Sequence, residues 1–216
     1  MNNLTYEQYV ILYAKYLDNK NFESILGDTI KRKKDIVCLD LCGGTGDLSE
    51  FLLNKLQTKK VWYVDENSNM IRSSLIPHRL IKITYASVRN FIFLLNNWEY
   101  DVVVCKQAIN YWFNEEIIKQ LHKSIKKHGI LMFNTFTNIP ETYSSKKYTY
   151  NNRNYFELNT VSKNNIIMHT QHCEDLIDTN SFPYISEKEF KDVLEKYFNI
   201  DLIKIKNSAY YICKKI

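Results

Sequence analysis

The chain has 216 residues and a mass of 25.8 kDa, enough for one large domain with a core of its own. Hydrophobic residues make up 45% and charged residues 25%, an ordinary balance for a globular protein, and no apolar run approaches the roughly 18 residues that span a bilayer, which excludes a helical membrane protein. The net charge of +5 comes from lysines spread along the chain; the cluster Lys31-Arg32-Lys33-Lys34 is short and reads as a solvated loop, which argues against a nucleic-acid partner.

The opening "MNNLTYEQYVILYAKYLDN" lacks the basic start, apolar centre and small-residue cleavage site of a secretory signal, so the cytoplasm is the expected compartment. Residues 1–30 are expected to form a helical cap, in which Tyr6, Tyr9, Tyr13 and Tyr16 fall on one stripe at helical spacing. Short runs rich in β-branched and aromatic residues then predict strands at 36–41, 61–65, 80–86, 101–106 and 129–136. Between them, 46–57 and 114–127 carry their aliphatic residues on one helical face, the second stopping before Gly129. This alternation predicts an α/β fold: a doubly wound, Rossmann-like, mostly parallel sheet with both faces covered.

After residue 137 the pattern turns polar and aromatic. The segments "NYFELNT" and "NIIMHTQHCE" flank "VSKN" like the strands of a β-hairpin, so 138–180 is expected to be an insertion on the rim of a single domain spanning 1–216. Tyr143, Tyr148, Tyr150 and Tyr155 in it suit either a lid or the apolar underside of the hairpin. A helix follows at 186–197, with Ser186 and Glu189 spaced as a capping box, and the chain ends in an antiparallel strand pair at 200–206 and 209–214. The five cysteines, Cys38, Cys42, Cys105, Cys173 and Cys213, show no CxxC spacing, so buried thiols are expected and neither a metal site nor a disulfide framework is.

The stretch "DIVCLDLCGGTGDLSEFLL" joins a strand to a helix through small residues. Backbone N–H groups at such a helix start are unpaired, and glycines let a ligand approach the main chain, so Gly43, Gly44 and Gly46 are expected to line a ligand. The dinucleotide pattern GxGxxG and the GK[ST] ending of a phosphate loop are both absent. One βα unit later "VWYVDENSNMI" ends its strand in Asp65, where doubly wound folds receive ribose hydroxyls.

These motifs resemble those of the class I S-adenosylmethionine-dependent methyltransferases, over nearly the whole chain. "LDLCGGTGDLSEFL" looks like the first motif of that family, "VDENSNMI" like the second and "YDVVVCKQAINYWF" like the fourth, while "SIKKHGILMFNTF" is similar to the helix, turn and fifth strand that follow. Cys42 replaces the first glycine of the family's pattern, as in a "DLCCGTG"-like branch, and Ser87 replaces the usual adenine-binding aspartate, leaving the backbone of Val88 to serve. The resemblance implies that Asp40 and the turn from Cys42 to Gly46 hold the methionine part, that Asp65 takes the ribose, and that Glu66 and Met70 flank the nucleoside. It places Lys106 and Gln107 beside the sulfonium, and "YAKYLD", similar to a family "YAxxYD" segment, brings Tyr13 and Tyr16 to the cofactor unless they belong to the packing stripe.

Transfer from a sulfonium needs alignment and exclusion of water more than an acid or a nucleophile. Tyr111 lies where family acceptors dock, and His169 on the insertion is the candidate base for an acceptor that must lose a proton. Without an appended nucleic-acid module, the expected function is methyl transfer to the N or O of a small molecule (a sugar, amino-acid derivative or secondary-metabolite precursor), giving S-adenosylhomocysteine as product. The alternatives are an RNA or protein methyltransferase, and an enzyme of this fold that uses S-adenosylmethionine for cyclisation or a non-methyl transfer. Monomer and homodimer stay open.

Overall fold

Alternation of apolar residues along Val37–Leu41 (β1) sends Leu39 and Leu41 to one face of a sheet and Cys38 to the other, and both faces are buried. Lys60–Asp65 (β2), Tyr100–Cys105 (β4) and most of Ile125–Phe136 (β5) are buried in the same way, whereas Ile81–Tyr85 (β3) is a half-exposed edge strand, and the five pair in parallel in the order β5-β4-β1-β2-β3. This computed structural model describes residues 4–17, 20–30, 35–76, 78–92, 99–137 and 143–216; the Lys31–Lys34 cluster and residues 138–142 lie outside them.

The N-terminal segment forms Tyr6–Leu12 (α1), Ala14–Leu17 (α2) and Asn21–Ile30 (α3), with α1 opened by a capping box between Thr5 and Gln8. Asp47–Asn54 (α4) joins α3 on one face of the sheet through Phe22, Leu26, Leu48 and Leu52. Val88–Ile92 (α5) and Glu115–Ser124 (α6) cover the other face, with Phe91, Ile117, Ile118 and Leu121 buried against it. α6 ends three residues short of the predicted 127: Ile125 turns to an extended conformation and pairs with Tyr100 of β4, so the strand takes over before Gly129 is reached.

The insertion is larger than a hairpin. Tyr143–Tyr150 (β6), Arg153–Val161 (β7), Ile166–Cys173 (β8) and Leu176–Pro183 (β9) form a second, wholly antiparallel sheet in that order. The two predicted strands are its middle pair. The outer two escape pattern reading because "YSSKKYTY" has almost no aliphatic residue and "LIDTNSFP" carries Asp and Asn on its inner positions. Helix Glu187–Leu194 (α7), capped by Ser186 and Glu189 as expected, leads to Phe198–Ile205 (β10) and Ser208–Lys215 (β11), which add antiparallel to β5 and complete a seven-stranded main sheet. α1 packs on β8 and β9, where Leu4, Leu12, Tyr13, Tyr155 and Cys173 form a third buried cluster.

Candidate functional site

In the main sheet, the chain runs outward from β1 in both directions, to β2 on one side and to β4 on the other. The carboxyl ends of β1 and β4 therefore open into a crevice, the usual ligand position in open α/β sheets. Immediately after β1, residues 42–46 make the turn into α4, with Cys42, Gly44 and Gly46 at φ of 56°, 54° and 82°. Gly43 lies against the ring of Tyr63: a Cβ there would come 2.4 Å from it. At Gly44 the nearest atom to an added Cβ is Cε of Met70 at 3.8 Å, so this residue leaves its space open to the crevice. Tyr63 holds the turn from below, its hydroxyl donating to the Gly44 carbonyl at 2.7 Å.

Asp65, at the end of β2, accepts the Gly44 N–H at 2.9 Å on Oδ2 and the Asn67 N–H at 2.8 Å on Oδ1. Burial pushes its carboxyl above the ordinary range, against the pull of the Asn67 and Gly44 N–H groups. Asp40 is placed differently from what the resemblance implied. Its carboxylate lies beneath the turn, accepting the Ser49 hydroxyl at 2.7 Å, and burial pushes it up to about 7. It buttresses the start of α4 and is not on the crevice wall. Gly43 and Gly46 are likewise packed from behind, on Tyr63 and Leu75 respectively.

The crevice is a cleft of about 380 Å³. Cys42, Gly44, Asp65, Glu66, Met70, Ser87 and Val88 line one part of it, and Lys106, Gln107 and Tyr111 the part beyond β4. Ser87 uses its hydroxyl to accept the Asn90 N–H at the start of α5. The Lys106 ammonium is 3.6 Å from Glu23 of α3, while Gln107, at φ 62°, donates its N–H to Asn134 at 2.9 Å. The Tyr111 ring stands edge-on to Phe182 at 5.5 Å, and its hydroxyl is pushed up to about 12 by burial and by the Asp178 charge.

Three further expected residues do not reach the cleft either. Tyr13 donates its hydroxyl to Oδ2 of Asp178 at 2.7 Å and accepts from Asn180, one layer behind the wall. Tyr16 stands beside Glu157, and burial together with that carboxylate's charge holds its phenol protonated. His169 packs between these two tyrosines, with ring centroids 6.5 and 6.1 Å away and Nδ1 2.8 Å from Oδ1 of Asn159. Burial lowers its proton affinity. As the register partner of Asn180 on β9, it faces α1 and α2, which cover it. Of the four tyrosines left open between lid and underside, Tyr148, Tyr150 and Tyr155 join the cluster under α1, and Tyr143 is exposed.

In their place the structure brings Leu4 and Tyr9 from the N-terminal segment, and Asp178 and Asn180 from β9, over the cleft. On β9, Leu176, Asp178, Asn180 and Phe182 alternate with exposed neighbours and share one inward face, a pattern that the polar Asp and Asn hide in the sequence. Asn110 locks this strand to the loop after β4, accepting from Thr135 at 2.8 Å and donating to the Pro183 carbonyl at 3.0 Å.

No protein-family model matches the chain, and no curated protein matches its sequence. Solved structures do match. The S-adenosylmethionine-bound amino pentose methyltransferase CalS10 of Micromonospora echinaspora superposes with a TM-score of 0.74 at 14% identity, over 100% of both chains. Streptomyces venezuelae DesVI gives 0.70 at 11% identity, over 95% of this chain and 97% of that one. The sugar N-methyltransferase KedS8 of a Streptoalloteichus species gives 0.70 at 12%, over 96% and 93%. The chain has the fold of the S-adenosylmethionine-dependent methyltransferases.

Within the methyltransferase fold, Cys42 marks where this chain departs from the glycine pattern. Its φ of 56° is the left-handed region, which costs a residue with a Cβ roughly 1–2 kcal/mol and a glycine little. Its half-buried thiol lies against Cys105 of β4, and that neighbour together with desolvation pushes it well above the ordinary thiol range. Among the described residues, no helix is long and apolar enough to cross a membrane, and no group of three His, Cys, Asp or Glu side chains is placed to hold a metal ion.

Proposed function

We propose that this protein is an enzyme that transfers the methyl group of S-adenosylmethionine to a nitrogen or oxygen of a small-molecule acceptor. The observation that carries the reading is the pairing of Gly44 and Asp65 on one cleft wall at the sheet's switch point. The residues present fit such a methyl donor. Gly44 leaves main-chain space open beside the Asp65 carboxylate, which keeps lone pairs for ribose hydroxyls, and Met70 and Val88 supply apolar surface for a base. Bound there, S-adenosylmethionine supplies a methyl group already activated on a cationic sulfur.

The part of the cleft beyond β4 is then the acceptor side. Tyr111 and Tyr9 offer phenol hydroxyls and ring faces, and the antiparallel sheet with α1 closes the top and keeps water from the reacting atoms. The size of the cleft and the kinds of molecule named for CalS10 and KedS8, an amino pentose and a sugar, support a small acceptor. Residues 1–216 then act as one domain, with 143–183 as a cover over the site, and five free cysteines agree with work in a reducing cytoplasm.

The test is calorimetry with S-adenosylhomocysteine and S-adenosylmethionine. Low-micromolar binding to the wild type is expected, with a loss of at least about thirtyfold in Asp65→Ala, the scale of one charged hydrogen bond or more. Absence of binding by the wild type would overturn the reading.

A further inference from the structure

Asp178 is a carboxylate 4% exposed, carried into the cleft wall by β9. Its two hydrogen bonds both fall on Oδ2, from the Tyr13 hydroxyl and from Nδ2 of Asn180, each at 2.7 Å. Oδ1 accepts nothing from the described residues, and among them no lysine, arginine or histidine nitrogen lies within 4.0 Å of either oxygen. A buried carboxylate in this state is costly unless something supplies the missing positive charge. Around it the cleft is lined by the aromatic side chains of Tyr9, Tyr111 and Trp112, and the Trp112 indole N–H is buried without a partner among the described residues.

We propose that Asp178 is the specificity-determining residue of the acceptor side, holding an amine through an N–H donated to Oδ1, with the faces of Tyr9 and Tyr111 around the nitrogen. The inference rests on the methyl-transfer reading for what happens next, but its recognition chemistry stands alone. An ammonium supplies the charge that the wall lacks, forms a charge-assisted hydrogen bond and is attracted by ring faces, and it releases one proton to solvent to free its lone pair before any methyl transfer. A hydroxyl can make the hydrogen bond but leaves the charge uncompensated, and a carboxylate is too weak a base to take the proton of an alcohol. Tyr13 and Asn180 are positioning residues: by occupying Oδ2 they leave Oδ1 as the free acceptor.

The test compares cyclohexylamine with cyclohexanol, a pair of the same shape, titrated against the full chain at pH 7 by ligand-observed NMR, with and without saturating S-adenosylhomocysteine. The wild type is expected to bind the amine about tenfold or more tightly than the alcohol. Asp178→Asn, which keeps the shape and can still accept from Tyr13, brings the ratio close to one. Tyr13→Phe retains a preference of about threefold or more, and S-adenosylhomocysteine affinity changes by less than about twofold in either variant. Equal binding of amine and alcohol by the wild type overturns the proposal whether or not the variants fold. So does an unchanged ratio in a folded Asp178→Asn. A selective loss of S-adenosylmethionine over S-adenosylhomocysteine in that variant also overturns it, because Asp178 then serves the sulfonium. Failure of S-adenosylhomocysteine to bind the wild type strikes the methyl-transfer reading instead, and the amine-to-alcohol ratio without it still decides the role of Asp178.

Discussion

Tyr63 and Gly43 occupy one another's space: the Tyr63 ring fills the position where any side chain on residue 43 would begin. Tyr63 is fully buried and its hydroxyl is fixed on the Gly44 carbonyl, so the ring has nowhere to go. Gly43→Ala is therefore expected to destabilise the fold by about 1–3 kcal/mol through overpacking. Gly44→Ala faces open space and bears only the left-handed strain, roughly 1–2 kcal/mol, while its methyl group enters the cleft. Thermal melts and S-adenosylhomocysteine titrations separate the two. Gly44→Ala should lose the ligand while melting no lower than Gly43→Ala, and the opposite order would show that the turn is seated differently.

Asp40 makes stability depend on pH. Its carboxyl stands at about 7 in the fold against a reference value of 3.8, because it is buried, and the Ser49 hydrogen bond offsets that only in part. The native state thus keeps a proton that the unfolded chain has released. The sign follows: the contribution of this group is fully present below about pH 4 and is lost as pH rises to about 7. Asp40→Asn, which can still accept from Ser49, is expected to match the wild type near pH 3.5 and to exceed it at pH 8, by at most about 4 kcal/mol. Urea unfolding at the two pH values measures this, and a difference that does not grow with pH would refute it.

Cys42 lines the cleft, yet its thiol is expected to be sluggish. The neighbouring Cys105 thiol, partial burial and the nearby carboxylates all favour the protonated form. Alkylation of Cys42 by iodoacetamide at pH 8, followed by mass spectrometry, should run at least about tenfold slower than that of glutathione. Fast labelling would mean that the thiol faces solvent as a thiolate.

Arg72 ties the N-terminal segment to the main sheet's helices. Its Nε donates to the Tyr6 hydroxyl at 3.0 Å, and its other nitrogens pair with Asp47 and Glu50 of α4. The group is about one-third exposed, so the ion pairs add little to global stability, and Arg72→Met should cost no more than about 1 kcal/mol. The local effect is larger: chymotrypsin should cut within residues 4–17 several-fold faster in the variant, read by mass spectrometry. Equal cutting would show that Tyr13 and the Tyr155 hydroxyl bond to Ile11 hold α1 unaided.

The parallel sheet and the glycine-turn wall of the cleft were legible because they are local. β1, its turn and α4 lie within one stretch of chain, and Gly44, Asp65, Ser87 and Lys106 each follow a strand of strong apolar period. Asp178 was not legible in the same way. Its importance depends on Tyr13, far away in the chain, and on Tyr111, and no pattern within "LIDTNSFP" reports either neighbour. His169 failed as a cleft residue for the converse reason: its position on a rim strand is right, but α1 and α2 cover that face of the strand.

The bond between Tyr13 and Asp178 joins positions 165 residues apart, whereas the wall with Gly44 and Asp65 closes over 21. The two sides of the cleft thus draw on very different spans of chain. That difference sets an order of assembly on the ribosome: the Gly44–Asp65 wall can form early, and the Tyr13–Asp178 bond must wait until β9 has emerged.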